Sequence, residues 1–180
     1  MSKTTDNYQK YTLPIRGMKP EAMPQGHPCI PGVNKRSAGT TQMGATIVML
    51  QPGDSGHGHI HPSHESIIFV LEGHAVTYMG PDAEPTFQRA GDFLFIPKGV
   101  AHVPANLSKT KRFVALTIRA DAEPNEAVEL VPGYDEVIAK ITPKLQKQFE
   151  EGTLPVDWEK SYQGGEPFVF PWDSLEVEEA

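Results

Sequence analysis

The chain has 180 residues and a formal charge of −7, with 16 Lys and Arg against 23 Asp and Glu. That length suits one domain with extensions, or at most two small domains. The acidic balance argues against nucleic acid and anionic membrane surfaces as partners, since both reward a basic patch. No apolar run approaches the roughly 20 residues needed to span a bilayer. The N-terminal stretch MSKTTDNYQKYTLPIRG lacks the apolar centre of a signal peptide, so a cytoplasmic location is the default expectation. One cysteine, Cys29, rules out an intrachain disulfide and a thiolate metal cluster.

The 17 prolines and 16 glycines favour turns and short strands over long helices. Residues 1–40, rich in Pro, Gly, Lys and Ser, read as an extended arm with at most a short strand; His27 within it reads as a surface residue. The first clear strand is MGATIVMLQPG (43–53), stopped by Pro52 and Gly53. A histidine-rich run follows, then SIIFVLEG, β-branched, aromatic and closed by Gly73. HAVTYMG, with His74 at the surface, is the next strand, and PDAEP is a turn. TFQRAGDFLFIPKG supplies two more strands hinged at Gly91, and HVPANLS and KRFVALTIRA supply the last two. Short strands about every ten residues, with turn chemistry between them and no helical period, predict an all-β sandwich or barrel over residues 41–132.

Composition shifts near Pro132. Residues 133–180 hold 11 acidic and 4 basic residues, so the net charge belongs to this C-terminal extension and the remainder is neutral, with 12 of each. Within the extension, Thr142 reads as an N-cap with Pro143 at the first helical position. Ile141, Leu145 and Phe149 then recur at four-residue spacing until Gly152, which predicts one short amphipathic helix. Trp158, Tyr162, Phe168, Phe170 and Trp172 are spread through the polar tail and are expected to pin it to this barrel or to a neighbour's. Arm and tail together fit a homodimer with exchanged segments, and fit a lid over the barrel mouth equally well.

Residues 53–65 read GDSGHGHIHPSHE, so His57, His59, His61 and His64 fall within eight positions of a chain with seven histidines. Side chains two apart on a strand project to one face, so the imidazoles of His59 and His61 can meet at one point. His57 shares their parity and is a candidate proton carrier, because an imidazole titrates near neutral pH. His64 precedes Glu65 and is expected to point away from it. Downstream, GDFLFIPKGVAHVPAN presents Gly91, Pro97, Gly99, His102 and Asn106.

The two stretches resemble the paired motifs of the cupin superfamily. The second motif (Gly, five residues, Pro-x-Gly, two residues, His, three residues, Asn) is matched throughout. The first is matched at Gly53, His59, His61 and Glu65. It then departs, because seven residues rather than six separate Glu65 from Gly73, and the shorter count lands on Ser66. A bulge that re-aims Glu65 would accommodate the extra residue, serine being a poor ligand for a divalent ion. Otherwise the carboxylate is displaced and Ser66 lines the interior.

The resemblance implies a cupin-type jelly roll or β-barrel, carrying one divalent ion held by His59, His61, Glu65 and His102. Imidazole suits Fe2+, Ni2+, Cu2+ and Zn2+, and a carboxylate also admits Mn2+. With Fe2+ favoured, the expected activity is that of a dioxygenase acting on a small organic molecule and O2. The alternatives are a non-redox isomerase, decarboxylase or hydrolase, and a barrel that only binds a small ligand. Arg119 ends a strand on which Phe113, Ala115 and Thr117 share its face; if that face is internal, Arg119 is a candidate partner for an anionic substrate.

Overall fold

A computed structural model describes residues 12–123 and 128–158. Two antiparallel sheets pack face to face as a jelly roll. The six-stranded sheet runs β1 (Glu21–Ala22), β2 (Pro28–Val33), β3 (Gly44–Leu50), β10 (Phe113–Arg119), β5 (Ser66–Glu72), β8 (Phe93–Ile96) in spatial order. The five-stranded sheet runs β11 (Glu129–Leu130), β4 (His59–Ile60), β9 (His102–Asn106), β6 (His74–Met79), β7 (Glu84–Arg89). A single helical turn, α1 (Lys35–Ala38), follows β2, and a long helix, α2 (Pro132–Glu150), follows β11.

Strict alternation governs the central strands. In β3 and β10 every second residue is buried, so Phe113, Ala115, Thr117 and Arg119 face the interior together with Thr46, Val48 and Leu50. Leu50, Val70, Ala75, Phe113 and Ala115 form one core cluster between the sheets. In β9 all five residues are buried, because both faces of its sheet are covered. His102, Pro104 and Asn106 take the inner face. Val103 and Ala105 take the outer face, where Tyr134 and Ile138 of α2 pack over them. At ~1.5–3 kcal/mol for each buried side chain of this kind, that cluster is enough to hold the helix on the barrel.

The helix is longer than the sequence predicts. It starts at Pro132 and runs 19 residues, so Pro143 lies inside it and Thr142 is buried mid-helix, bonded through its hydroxyl to Tyr78 Oη (2.9 Å). An internal proline costs ~3 kcal/mol in an isolated helix. Here packing outweighs it: Tyr134 donates to the Gly80 carbonyl (2.7 Å), Gln146 donates to the Asn106 carbonyl (2.9 Å), and Ile141, Leu145 and Phe149 lie against the cluster.

The arm also differs from its sequence reading. Residues 21–33 extend the six-stranded sheet through β1 and β2, so a boundary at residue 40 falls outside a sheet that has already begun. Met23, Gln25, His27, Cys29 and Pro31 are buried in strict alternation. The arm is docked by His57, whose backbone N–H donates to the Gln25 carbonyl (2.6 Å) and whose ring lies where a Cβ on Gly26 would sit. Only glycine fits there, and Gly26 also has φ +80°. Of the tail aromatics, Trp158 packs edge-on against His74 and Phe87. Tyr162, Phe168, Phe170 and Trp172 lie outside the described residues.

Candidate metal centre

His59 sits on β4 and His102 begins β9, and these two residues are directly paired across the strands. His61 follows β4, and its carbonyl accepts from the Gly99 N–H (2.8 Å), which ties the first histidine segment to the turn that delivers His102. Gly99 takes φ +73° in that turn, and Asn106 braces the far end of β9, donating to the carbonyls of Gln51 (3.0 Å) and Lys111 (2.8 Å).

These elements bring His59, His61 and His102 together: one ring nitrogen from each lies within 4.8 Å of the other two, and all three residues are buried. The ring centroids are 4.2 Å (His59–His102), 5.0 Å (His59–His61) and 5.3 Å (His61–His102) apart. The tautomers of two are fixed. His59 Nδ1 donates to the His57 carbonyl (2.8 Å) and His102 Nδ1 to the Val100 carbonyl (3.0 Å), which leaves each Nε2 as a free lone pair. Burial, with His102 alongside, pushes the His59 imidazole down to about 2, and burial pushes His102 down to about 4. Both are therefore neutral at physiological pH, the form a metal needs. Three converging imidazoles, two of them held neutral by burial, fit a first-row divalent ion.

Glu65 is not among them. β5 starts at Ser66, and Ser66, Ile68 and Val70 point inward, so parity turns Glu65 outward, where it is exposed. There is a bulge in β5, but it falls between Val70 and Glu72, too far along the strand to re-aim Glu65. Ser66 is buried opposite Arg119 and Ile96, and its hydroxyl has no protein partner. With Ser66 inside, His64 shares its parity. His64 is buried behind His61, with ring centroids 5.1 Å apart, and its Nε2 lies 3.7 Å from Asp121. Changing Glu65 to Ala is accordingly expected to leave metal affinity within about twofold of the parent. Ser66→Glu should add a carboxylate at the lined position and raise Mn2+ affinity about tenfold or more, since carboxylate favours that ion. Competition with a fluorescent chelator measures both.

His57 also departs from the parity expectation. Strand geometry begins only at His59, so the His57 side chain turns out to the surface. Its Nδ1 meets Asp135 Oδ2 (2.9 Å), and Asp135 Oδ1 accepts the Gly58 N–H (2.6 Å). His57 thus links the histidine segment to the first turn of α2 and does not line the cavity.

The cavity beside the imidazoles measures about 40 Å³ in the space open to water centres, enough for about three waters or a small organic molecule. The six-stranded sheet contributes Arg119, Ser66 and Thr117, and the five-stranded sheet contributes Thr77 and Gln88. Arg119 is buried, and burial lowers its pKa from the usual arginine range. Its charge helps depress both His102 and His27, so it stands near the triad. His27 and Gln25 of the arm also line the cavity; burial first, then Arg119, brings His27 down to about 4. Their signal in the sequence was the alternation Met23, Gln25, His27, Cys29, obscured because two of its four residues are polar. Among the described residues no Asp or Glu lines this cavity.

A family profile described as a cupin domain matches residues 46–119. An oxalate decarboxylase from Lactobacillus farciminis, solved as a formate complex, is similar at TM-score 0.54 and 20% identity, over 72% of this chain and 40% of that one. A predicted oxalate decarboxylase from Thermotoga maritima is similar at TM-score 0.52 and 19% identity, over 60% and 96% of the two chains. Peruvianin-I, a cysteine peptidase from Thevetia peruviana latex, is similar at TM-score 0.56 and 16% identity, over 73% and 83%. No curated protein matches significantly. At these identities the likeness is one of fold, and the different activities in those names leave function to the site residues.

Proposed function

Since this chain belongs to the cupin superfamily through the domain at residues 46–119, we propose that it is a mononuclear metal-dependent enzyme acting on a small organic molecule, with Fe2+ as the metal and a dioxygenase reaction. The observation that carries the reading is the convergence of His59, His61 and His102 beside a cavity that no described Asp or Glu lines. A neutral donor set lacking carboxylate favours Fe, Ni or Zn over Mn. When bound, a divalent ion there supplies Lewis acidity and leaves coordination positions for substrate and O2. The chain's own residues do the rest. The carbonyls of His57 and Val100 hold the His59 and His102 rings in one tautomer and orientation. Ile68, Ile96 and Phe113 line the cavity with apolar surface and limit water, which strengthens every charge interaction inside it. Arg119 provides fixed positive charge for an anionic group.

A second reading has a specific basis: three histidines are also the ligand set of catalytic zinc in a hydration site, and the similar structures include an oxalate decarboxylase and a predicted one. It keeps the metal without redox chemistry. Metal analysis of protein purified without chelator, followed by oxygen uptake of the Fe2+-loaded form over a carboxylate panel, tests the first reading. Turnover that persists without O2 would replace it with the second. The three converging histidines count against a ligand-binding barrel without catalysis. A homodimer remains the proposed assembly, supported by the exposed Phe93, Phe95, Ile67 and Leu71 on the uncovered face of β5 and the edge strand β8; sedimentation at the mass of one chain would end it.

A further inference from the structure

Among the described residues, three of the four buried side-chain atoms without a protein hydrogen-bond partner belong to residues that line the same cavity: Gln25 Oε1, Gln88 Oε1 and Ser66 Oγ. Buried polar atoms left in this state are costly unless something else meets them. Gln88 is informative about what that something is. Its amide nitrogen donates to Thr77 Oγ1 (2.5 Å) and to the Thr86 carbonyl (3.3 Å), so the amide is held one way round. The oxygen that remains is an acceptor and calls for a donor. Gln25 is 1% exposed, and β1, β2 and the His57–Gln25 backbone bond hold it in place from the arm. Arg119 adds a buried cation to a cavity lined by no described acid.

We propose that this cavity takes a small carboxylate that also carries a hydroxyl or amino donor, with Arg119 holding the carboxylate and the Gln88 and Gln25 side chains accepting from the donor. The assignment deepens the metal-dependent reading above and rests on it for this cavity being the reaction site. Guanidinium and carboxylate form the strong charge-assisted pair. A carboxylate without the donor leaves Gln88 Oε1 unmet, which is the kind of loss that separates close analogues in polar sites. The cavity's size restricts the ligand to a few heavy atoms. Gln25 gives the N-terminal strand a direct part in specificity.

The test is calorimetric titration of the Zn2+-loaded full chain, a redox-silent form, with glycolate, acetate and 1,2-ethanediol, with zinc content measured on every sample. Glycolate should bind about tenfold tighter than acetate, and the diol should not bind. Arg119→Gln should weaken glycolate at least tenfold with zinc retained. Gln88→Leu should erase the glycolate-to-acetate gap while acetate binding holds, and Gln25→Leu should narrow it. A gap that survives Gln88→Leu would mean glycolate is chosen by the metal alone, and the proposal fails. It also fails if Arg119→Gln leaves glycolate binding intact, or if no carboxylate binds. If Arg119→Gln does not fold, the two glutamine variants decide the matter. The full pattern in protein that holds no zinc would sink the metal reading and leave the carboxylate pocket standing.

Discussion

Alanine at His59 or at His102 is expected to strip the protein of bound divalent metal while its β-sheet spectrum is retained. Among the described residues three imidazoles converge, so either change leaves two donors, too few to hold a first-row ion against a weak chelator. Outer hydrogen-bond partners of metal ligands alone are worth ~10–100-fold in affinity, and loss of a ligand should exceed ~100-fold. The barrel should survive, because neither histidine belongs to the apolar clusters that join the sheets or seat α2. His59 stands on a two-residue strand, its Nδ1 bonds to the nearby His57 carbonyl, and its ring packs on His61 and His102 rather than on the apolar core. The measurement is metal stoichiometry by mass spectrometry after gel filtration, alongside circular dichroism. Near-equimolar metal in both variants would show that the ion is held elsewhere.

The jelly roll was legible because its strands obey a period of two and are stopped by glycine and proline, and β3, β5, β6 and β10 fall where the pattern puts them. The convergence of His59, His61 and His102 was legible because His-x-His and a distant histidine after Pro-x-Gly are local signals. Arg119 was readable only as one side of an alternation whose inner face the sequence did not declare. Both faces of β10 carry apolar residues, and the choice between them is made by the neighbouring strands. Glu65 was misplaced for a related reason. Parity in β5 is set by pairing with β8 and β10, where Ser66 faces Ile96 and Arg119, and no residue within the motif records that register. His27 was hidden because a polar cavity wall interrupts the hydrophobic alternation that marks a strand. The full extent of α2 was hidden because Val131 provides no side-chain cap and Pro143 reads as a start, whereas burial of Tyr134 and Ile138 extends the helix to Pro132.

Metal-free protein should lose stability steeply below pH 6.5. An unfolded histidine titrates near 6.5. In the fold, burial first and then the neighbouring His102 hold His59 down to about 2, while burial first, with Arg119 adding to it, holds His27 and His102 down to about 4. Each folded value lies below its unfolded value, so the unfolded chain binds more protons and stability rises with pH through this window. Above about pH 6.5 neither state is protonated and the effect is absent. From there down to about 4 each of the three groups costs ~1.4 kcal/mol per pH unit, and His59 continues to cost below that. At pH 5 this amounts to about 2 kcal/mol for each imidazole, a large share of the ~5–15 kcal/mol that holds an ordinary domain together. Carboxylates titrate mainly below pH 5, so urea midpoints between pH 7.5 and 5 isolate the histidines. His27→Gln should flatten part of the slope while leaving the three converging imidazoles in place. Metal-loaded protein should lie above this curve and fall to meet it where protons displace the ion, because the ligands must be neutral to bind. Equal urea midpoints at pH 7.5 and pH 5 in chelator-treated protein would mean that these rings are hydrated in solution, and their burial between the sheets would have to be given up.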